Sequence, residues 1–300
     1  MNYNIEKYVE CTNKPIIKQV MKYYDYCQYT RHFTKNTMRG KVGSINHFLR
    51  FTGITDLKFI TNDMIYEWMG DQTAHGNQPR TVNNRLKHLV AMLKYYRDFG
   101  MRMPKLFLPE LVKQHEEPPK RRAFARDTVY EALKYADRDT WLMIKISFDC
   151  GLRINELRNI KLQDINGDQV EIIGKGRKRR YIILSNEVVI RLNDWVRRKE
   201  LHNWLWPSRT KPNTPMTTET IRAKMRTAFE CAGIYGFCPH ELRHSYATDL
   251  KKLGASTRSI QMGLGHSSEL TTENYLHDLD GSDLQELYAL KYSAPAPEIR

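Results

Sequence analysis

Residues 113–125, KQHEEPPKRRAFA, divide the chain. Adjacent prolines do not sit inside a helix or a central strand, and the charged residues around them leave little to bury, so the stretch reads as a linker. A chain of 300 residues cut there yields two pieces, each long enough to bury its own core. The expectation is an N-terminal domain over 1–112 and a C-terminal domain over 126–293, with APAPEIR at 294–300 as a disordered end.

From about residue 15 to residue 100 the pattern is helical with short connections. Its clearest piece begins at Pro79, where Val82, Leu86, Leu89, Leu93 and Tyr96 step by three and four along one face. Arg85, Lys87, Lys94 and Arg97 lie off that stripe and face water or a polyanion. Helical patterns resume at Arg126 and are interrupted by DQVEIIGKGRKRRYIILS, in which Val170–Ile173 and Tyr181–Leu184 flank a Gly-Lys-Gly-Arg turn. That is the signature of a β-hairpin with a basic tip. The fold class expected is mainly α, with a small β-hairpin or sheet in the C-terminal domain.

Charge narrows the partners. Lysine and arginine total 48 against 34 aspartates and glutamates, a formal charge of +14, which gives the surface a field that draws polyanions. Nucleic acid is therefore the first partner to consider. With 41% hydrophobic and 11% aromatic residues the chain has enough apolar material to fold. No apolar run approaches the roughly 18 residues of a membrane span, and MNYNIEKYVE is too polar for a signal peptide, so a cytoplasmic location is expected. Cys11, Cys27, Cys150, Cys231 and Cys238 include no C-x-x-C pair, so reduced, mostly buried thiols are expected, with neither a disulfide framework nor a zinc ribbon.

The stretch HELRH, His240 to His244, spells the H-E-x-x-H pattern of zinc peptidases. That chemistry needs both histidines in mid-helix, a glutamate to activate water and a third ligand, for which Glu269 or Glu273 could be nominated. Two features oppose it. Pro239 puts His240 at a helix start, where free N–H groups and the positive dipole end suit an anion, and Arg243 shares the His240 face, where its charge would oppose a dication. Read as an anion site, His240 is a donor or proton carrier and Arg243 a planar fork matched to phosphate oxygens. Upstream, GLRINEL carries a glycine turn, Arg153 and Glu156; downstream, LGHSSELTTENY carries a second glycine turn, His266 and Tyr275.

GLRINEL, IIGKGRKRR, HELRHSYAT and LGHSSELTTENY, in that order, resemble the tyrosine recombinase family, also called phage integrases, and most closely its compact Xer-like members. The resemblance spans roughly residues 126–293. It implies that Arg153 and Arg243 clamp a phosphate and that Lys175, at the hairpin tip, protonates the leaving oxygen. His240 and His266 would be the two family histidines, Tyr275 the nucleophile and Glu156 the accessory acid beside the first arginine. None of these seven departs from the pattern, and no cofactor or metal is implied. His244 and His277 keep structural parts, and Thr271 and Thr272 would cap the short helix holding Tyr275.

The chemistry accounts for such a set. A phenol with a reference pKa near 10 is a poor nucleophile at neutral pH. Attack on a phosphodiester builds charge on the non-bridging oxygens, and arginine and histidine donors around them bind the transition state more tightly than the ground state. The resemblance further implies a two-domain clamp on duplex DNA at an inverted-repeat core site, without a separate arm-binding domain, and a homotetramer on paired sites. The stripe Leu284, Leu287, Tyr288 and Tyr292 suggests a tail helix over 282–292 that docks on a neighbouring protomer in trans. Three rivals share parts of this pattern: a type IB topoisomerase, a zinc peptidase and a DNA-binding regulator without catalysis.

Overall fold

The computed structural model describes residues 14–100, 106, 122–174, 179–211, 213–265 and 281–293. The chain divides into two compact units, residues 1–119 and 120–300.

The first unit is helical: α1 (Lys14–Asp25), α2 (Lys35–Thr52), α3 (Asn62–Ala74) and α4 (Pro79–Asp98), with a π-helical turn over Tyr26–Thr30. Local chemistry sets the boundaries. Thr34 and Thr61 accept from backbone N–H groups in the first turns of α2 and α3, and Pro79 supplies the first residue of α4. The α4 stripe is core, since Val82, Leu86, Leu89, Leu93 and Tyr96 are all buried, while Lys87, Lys94 and Arg97 are exposed. Arg85 is only half-exposed and donates to Gln72 (2.9 Å), so it ties α4 to α3.

The second unit is built around α6 (Arg138–Cys150), whose residues from Asp139 to Cys150 are all buried. Around it lie α5 (Arg126–Lys134), the short α7 (Ile154–Arg158), α8 (Asn186–Lys199), α9 (Thr218–Cys231), α10 (Pro239–Lys252), α11 (Thr257–Leu264) and α12 (Gly281–Ser293). A three-stranded antiparallel sheet, in the order β1 (Ile165–Asn166), β2 (Gln169–Ile173) and β3 (Arg179–Ile183), covers one side of the core. Val170 pairs with Ile182 and both are buried, which fixes the register: a slip by one residue would turn Arg179 and Tyr181 inward instead. The hairpin is therefore present, with a short third strand beside it.

The described end of the linker stretch packs on this unit. Phe124 is buried against the stacked rings of Phe229 and Phe237, at ring-centroid distances of 5.1 and 6.1 Å, and its N–H donates to Ser245 Oγ (2.8 Å). A buried phenylalanine removes enough apolar surface from water to hold a segment that its charged neighbours alone would leave solvated. Arg122 adds a fork onto both oxygens of Glu241 (2.9 and 3.1 Å).

Helix α12 also packs on its own unit. Leu287, Tyr288 and Lys291 are buried, and the Tyr292 hydroxyl donates to Ile183 O (2.6 Å). The Lys291 ammonium pairs with Asp249 of α10 and lies 4.0 Å from the centroid of the Phe148 ring. Arg126 completes the group by donating to Asp249 (2.8 Å).

Among the described residues Cys27, Cys150, Cys231 and Cys238 are free thiols, as expected, but only Cys27 and Cys150 are buried. Cys231 closes α9 on its solvent side and Cys238 is the N-cap of α10, positions where the chain leaves the core. No described helix is long and apolar enough to cross a membrane.

Candidate active site

Two helix ends and one helix start converge in the second unit. Helix α6 ends at Gly151 and α11 at Gly265, each with a positive φ (62° and 60°) that suits glycine. Crowding adds a second reason for glycine at both. A Cβ on Gly151 would lie 2.6 Å from Tyr246 Cδ1, and one on Gly265 would lie 3.0 Å from Arg180 Nη1. These are the two glycine turns of the sequence, and each delivers its chain to the same place.

The third element is α10. Cys238 is extended at the N-cap, Pro239 takes the first helical position, and Glu241 accepts from the Cys238 N–H (2.8 Å). His240 thus stands exposed in the first turn, as its proline neighbour implied, and its ring meets that of His244 edge-on at 4.7 Å. One turn on, Arg243 is 2% exposed and donates from Nη1 to Gly151 O and from Nη2 to Leu264 O, both at 2.6 Å. One guanidinium therefore bolts α10 to the ends of α6 and α11. Glu241, which a zinc peptidase would need to activate water, is held instead by Arg122 and by the helix cap.

Arg153 is the N-cap of α7, and Glu156 accepts both its backbone N–H (2.9 Å) and its Nη1 (2.8 Å). The same carboxylate receives Arg180 of β3 as a fork, Nη1 to Oε1 at 3.2 Å and Nη2 to Oε2 at 2.7 Å, and lies 3.9 Å from Arg243 Nη1. Three guanidinium groups thus surround one carboxylate whose side chain is 5% exposed. Burial pushes the Glu156 pKa up, yet hydrogen bonds and charge from Arg180, with help from Arg153, carry it net below the usual value. Burial, followed by repulsion from Arg153, lowers Arg243 to about 10, which leaves it charged at neutral pH. Glu156 opposes that fall.

The structure thus brings Arg153, Glu156 and Arg243 together, with His240 one turn before Arg243 on the same helix. Lys175, His266 and Tyr275 lie outside the described residues, as do Thr271, Thr272 and His277. The described chain ends next to two of them, at Gly174 after β2 and at Gly265 after α11. The nearby Tyr246 is fully buried, and burial above all raises its pKa well over that of a free phenol, so it is a packing residue.

Sequence reasoning missed Arg180. The run of basic residues at 177–180 reads as a solvated hairpin tip, but strand alternation places Arg180 on the face of Ile182, which is 0% exposed. That parity was the available signal.

Comparison with known proteins gives one account of these features. The Phage integrase family model matches residues 123–281. Tyrosine recombinase XerD of Pseudomonas putida is 30% identical over 275 residues, 85% of this chain and 90% of that protein. Tyrosine recombinase XerC of Actinobacillus succinogenes is 26% identical over 290 residues, 90% of this chain and 95% of its own length. Among solved structures, a lambda integrase (75–356) dimer bound to a COC′ core site is similar with a TM-score of 0.69 at 16% identity, covering 84% of this chain and 95% of that one. XerH site-specific recombinase bound to difH substrate has a TM-score of 0.65 at 20% identity, covering 81% of this chain and 77% of that one. At those identities the two structures speak for the fold.

Proposed function

This chain belongs to the phage integrase family of tyrosine recombinases, and from that premise we propose how its own residues cut and rejoin DNA at specific sites. The reading rests above all on the cluster in which Arg153 and Arg243 converge on Glu156 at a helix start that also carries His240.

In this reading the Tyr275 phenol passes its proton to His240 as its oxygen attacks a backbone phosphorus of duplex DNA. A 3′-phosphotyrosyl bond forms and the bond to the 5′-oxygen breaks, with Lys175 giving that oxygen its proton. Arg153, Arg243, His240 and His266 stabilise the charge that grows on the non-bridging oxygens. Glu156 accepts from Arg153 and so fixes the guanidinium in place. Because the phosphotyrosyl link retains the energy of the broken ester, a 5′-hydroxyl from a second strand reverses the step without ATP, and strands exchange through a Holliday junction. The cationic donors do the work that a dication would otherwise do, so the reaction proceeds without metal.

The partner proposed is double-stranded DNA with an inverted-repeat core site, gripped by the helical unit and the catalytic unit together. Assembly would be a homotetramer on two paired sites. Because Leu287, Tyr288 and Lys291 of α12 are seated on their own unit here, docking in trans requires that helix to leave this seat for the same seat on a neighbour. The test is covalent trapping on a nicked suicide duplex, in chelator and without nucleotide. A protein–DNA adduct through Tyr275 is expected; no adduct, with stoichiometric zinc in protein purified without chelator, would overturn the reading.

A further inference from the structure

Arg180 stands where three parts of the site meet. Its guanidinium takes both oxygens of Glu156 and lies against Gly265 where α11 ends, and the residue belongs to β3, five residues after Lys175 in the sequence. Its side chain is 14% exposed, so this arrangement is internal to the fold. Arginine and carboxylate prefer a two-toothed pairing, and a carboxylate with both oxygens open would take Arg153 in that way. In this structure Arg180 holds the fork position, and the Arg153 side chain keeps a single bond to Glu156, through Nη1, while remaining 36% exposed.

We propose that Arg180 is a positioning residue for strand cleavage: by occupying the fork of Glu156 it leaves the rest of the Arg153 guanidinium free for the scissile phosphate. The inference rests on the recombinase reading of Arg153. Charge supports it as well, because three guanidinium groups against one carboxylate leave the site strongly cationic, and loss of Arg180 removes one of the positive charges. Displacement of a reacting group by about 1 Å is enough to cost on the order of a hundredfold in rate.

The experiment is single-turnover adduct formation on a nicked suicide duplex at saturating DNA, with binding measured in parallel, for the wild type, Arg180→Lys, Arg180→Met and Arg180→Met combined with Glu156→Gln. Lysine keeps the positive charge but cannot fork, so Arg180→Lys is expected to be slow with DNA affinity unchanged. Arg180→Met is expected to fall on the order of tenfold to a hundredfold in rate. Adding Glu156→Gln should restore much of that loss, because the amide keeps one oxygen to hold Arg153 Nη1 but has no second oxygen with which to take the guanidinium two-toothed; a role in packing alone would leave the double variant as slow as the single one. Wild-type rates in Arg180→Lys, or no rescue by Glu156→Gln, would overturn the proposal. Failure of the wild type itself to form an adduct would instead overturn the recombinase reading.

Discussion

Arg243 has given both terminal nitrogens to backbone carbonyls, those of Gly151 and Leu264, before any substrate is present. Removing it leaves two buried acceptors unpaired, each costing about 1–3 kcal/mol, so Arg243→Ala should lose roughly 2–6 kcal/mol of stability in urea unfolding. It should also lose on the order of a hundredfold to a thousandfold in adduct formation. Arg153 is half-exposed, so Arg153→Ala should match that kinetic loss with little change in the unfolding midpoint. Glu156 makes the site sensitive to acid. Its folded pKa lies below the ordinary carboxylate value, so its contribution is complete above the unfolded pKa, about 4.3, and disappears as pH falls through the folded one. Unfolding free energy measured from neutral pH down to pH 3 should decline through that window, and Glu156→Gln should flatten part of the decline.

At the scale of elements, the helix ends carry the site, and their glycines are open to test. Gly151 and Gly167 both have a positive φ, 62° and 61°, but only Gly151 is crowded, by Tyr246 and Leu264. Gly167→Ala should cost about 1 kcal/mol, the backbone penalty alone, whereas Gly151→Ala should cost several kcal/mol by the added overlap in a packed core. Equal costs in denaturant titration would contradict that account. Helix α12 gives a second comparison. Asp249→Ala strands the buried Lys291 ammonium and should cost about 3–5 kcal/mol and expose the tail to protease. Lys291→Met should be far milder, because Asp249 keeps Arg126. Much of this was legible in sequence. Periodicity marks the α4 stripe, Pro79 and Pro239 mark helix starts, and alternation around the Gly-Lys-Gly turn marks the hairpin. The rest depends on pairings distant in sequence, such as Arg180 with Glu156, Asp249 with Lys291 and Phe124 with Phe229, which local patterns do not encode.

At the scale of the whole molecule, a +14 chain that cuts and rejoins DNA should bind it largely through phosphates. Its affinity should then fall steeply as salt rises, as a straight line of log affinity against log salt concentration; a flat response would exclude a phosphate-based grip. The chain divides into units over residues 1–119 and 120–300, and the placement of residues 122–125 follows from the burial of Phe124. The zinc-peptidase spelling of HELRH shows why motif letters need structural context, since the same five residues here form a helix N-terminus in which the glutamate caps and the arginine ties three helices together. The most direct test of the account is denaturing gel analysis of the wild type and Tyr275→Phe on a nicked suicide duplex in chelator. A covalent protein–DNA band is expected for the wild type and none for Tyr275→Phe; a band of equal strength in both would mean that the Tyr275 phenol is not the nucleophile.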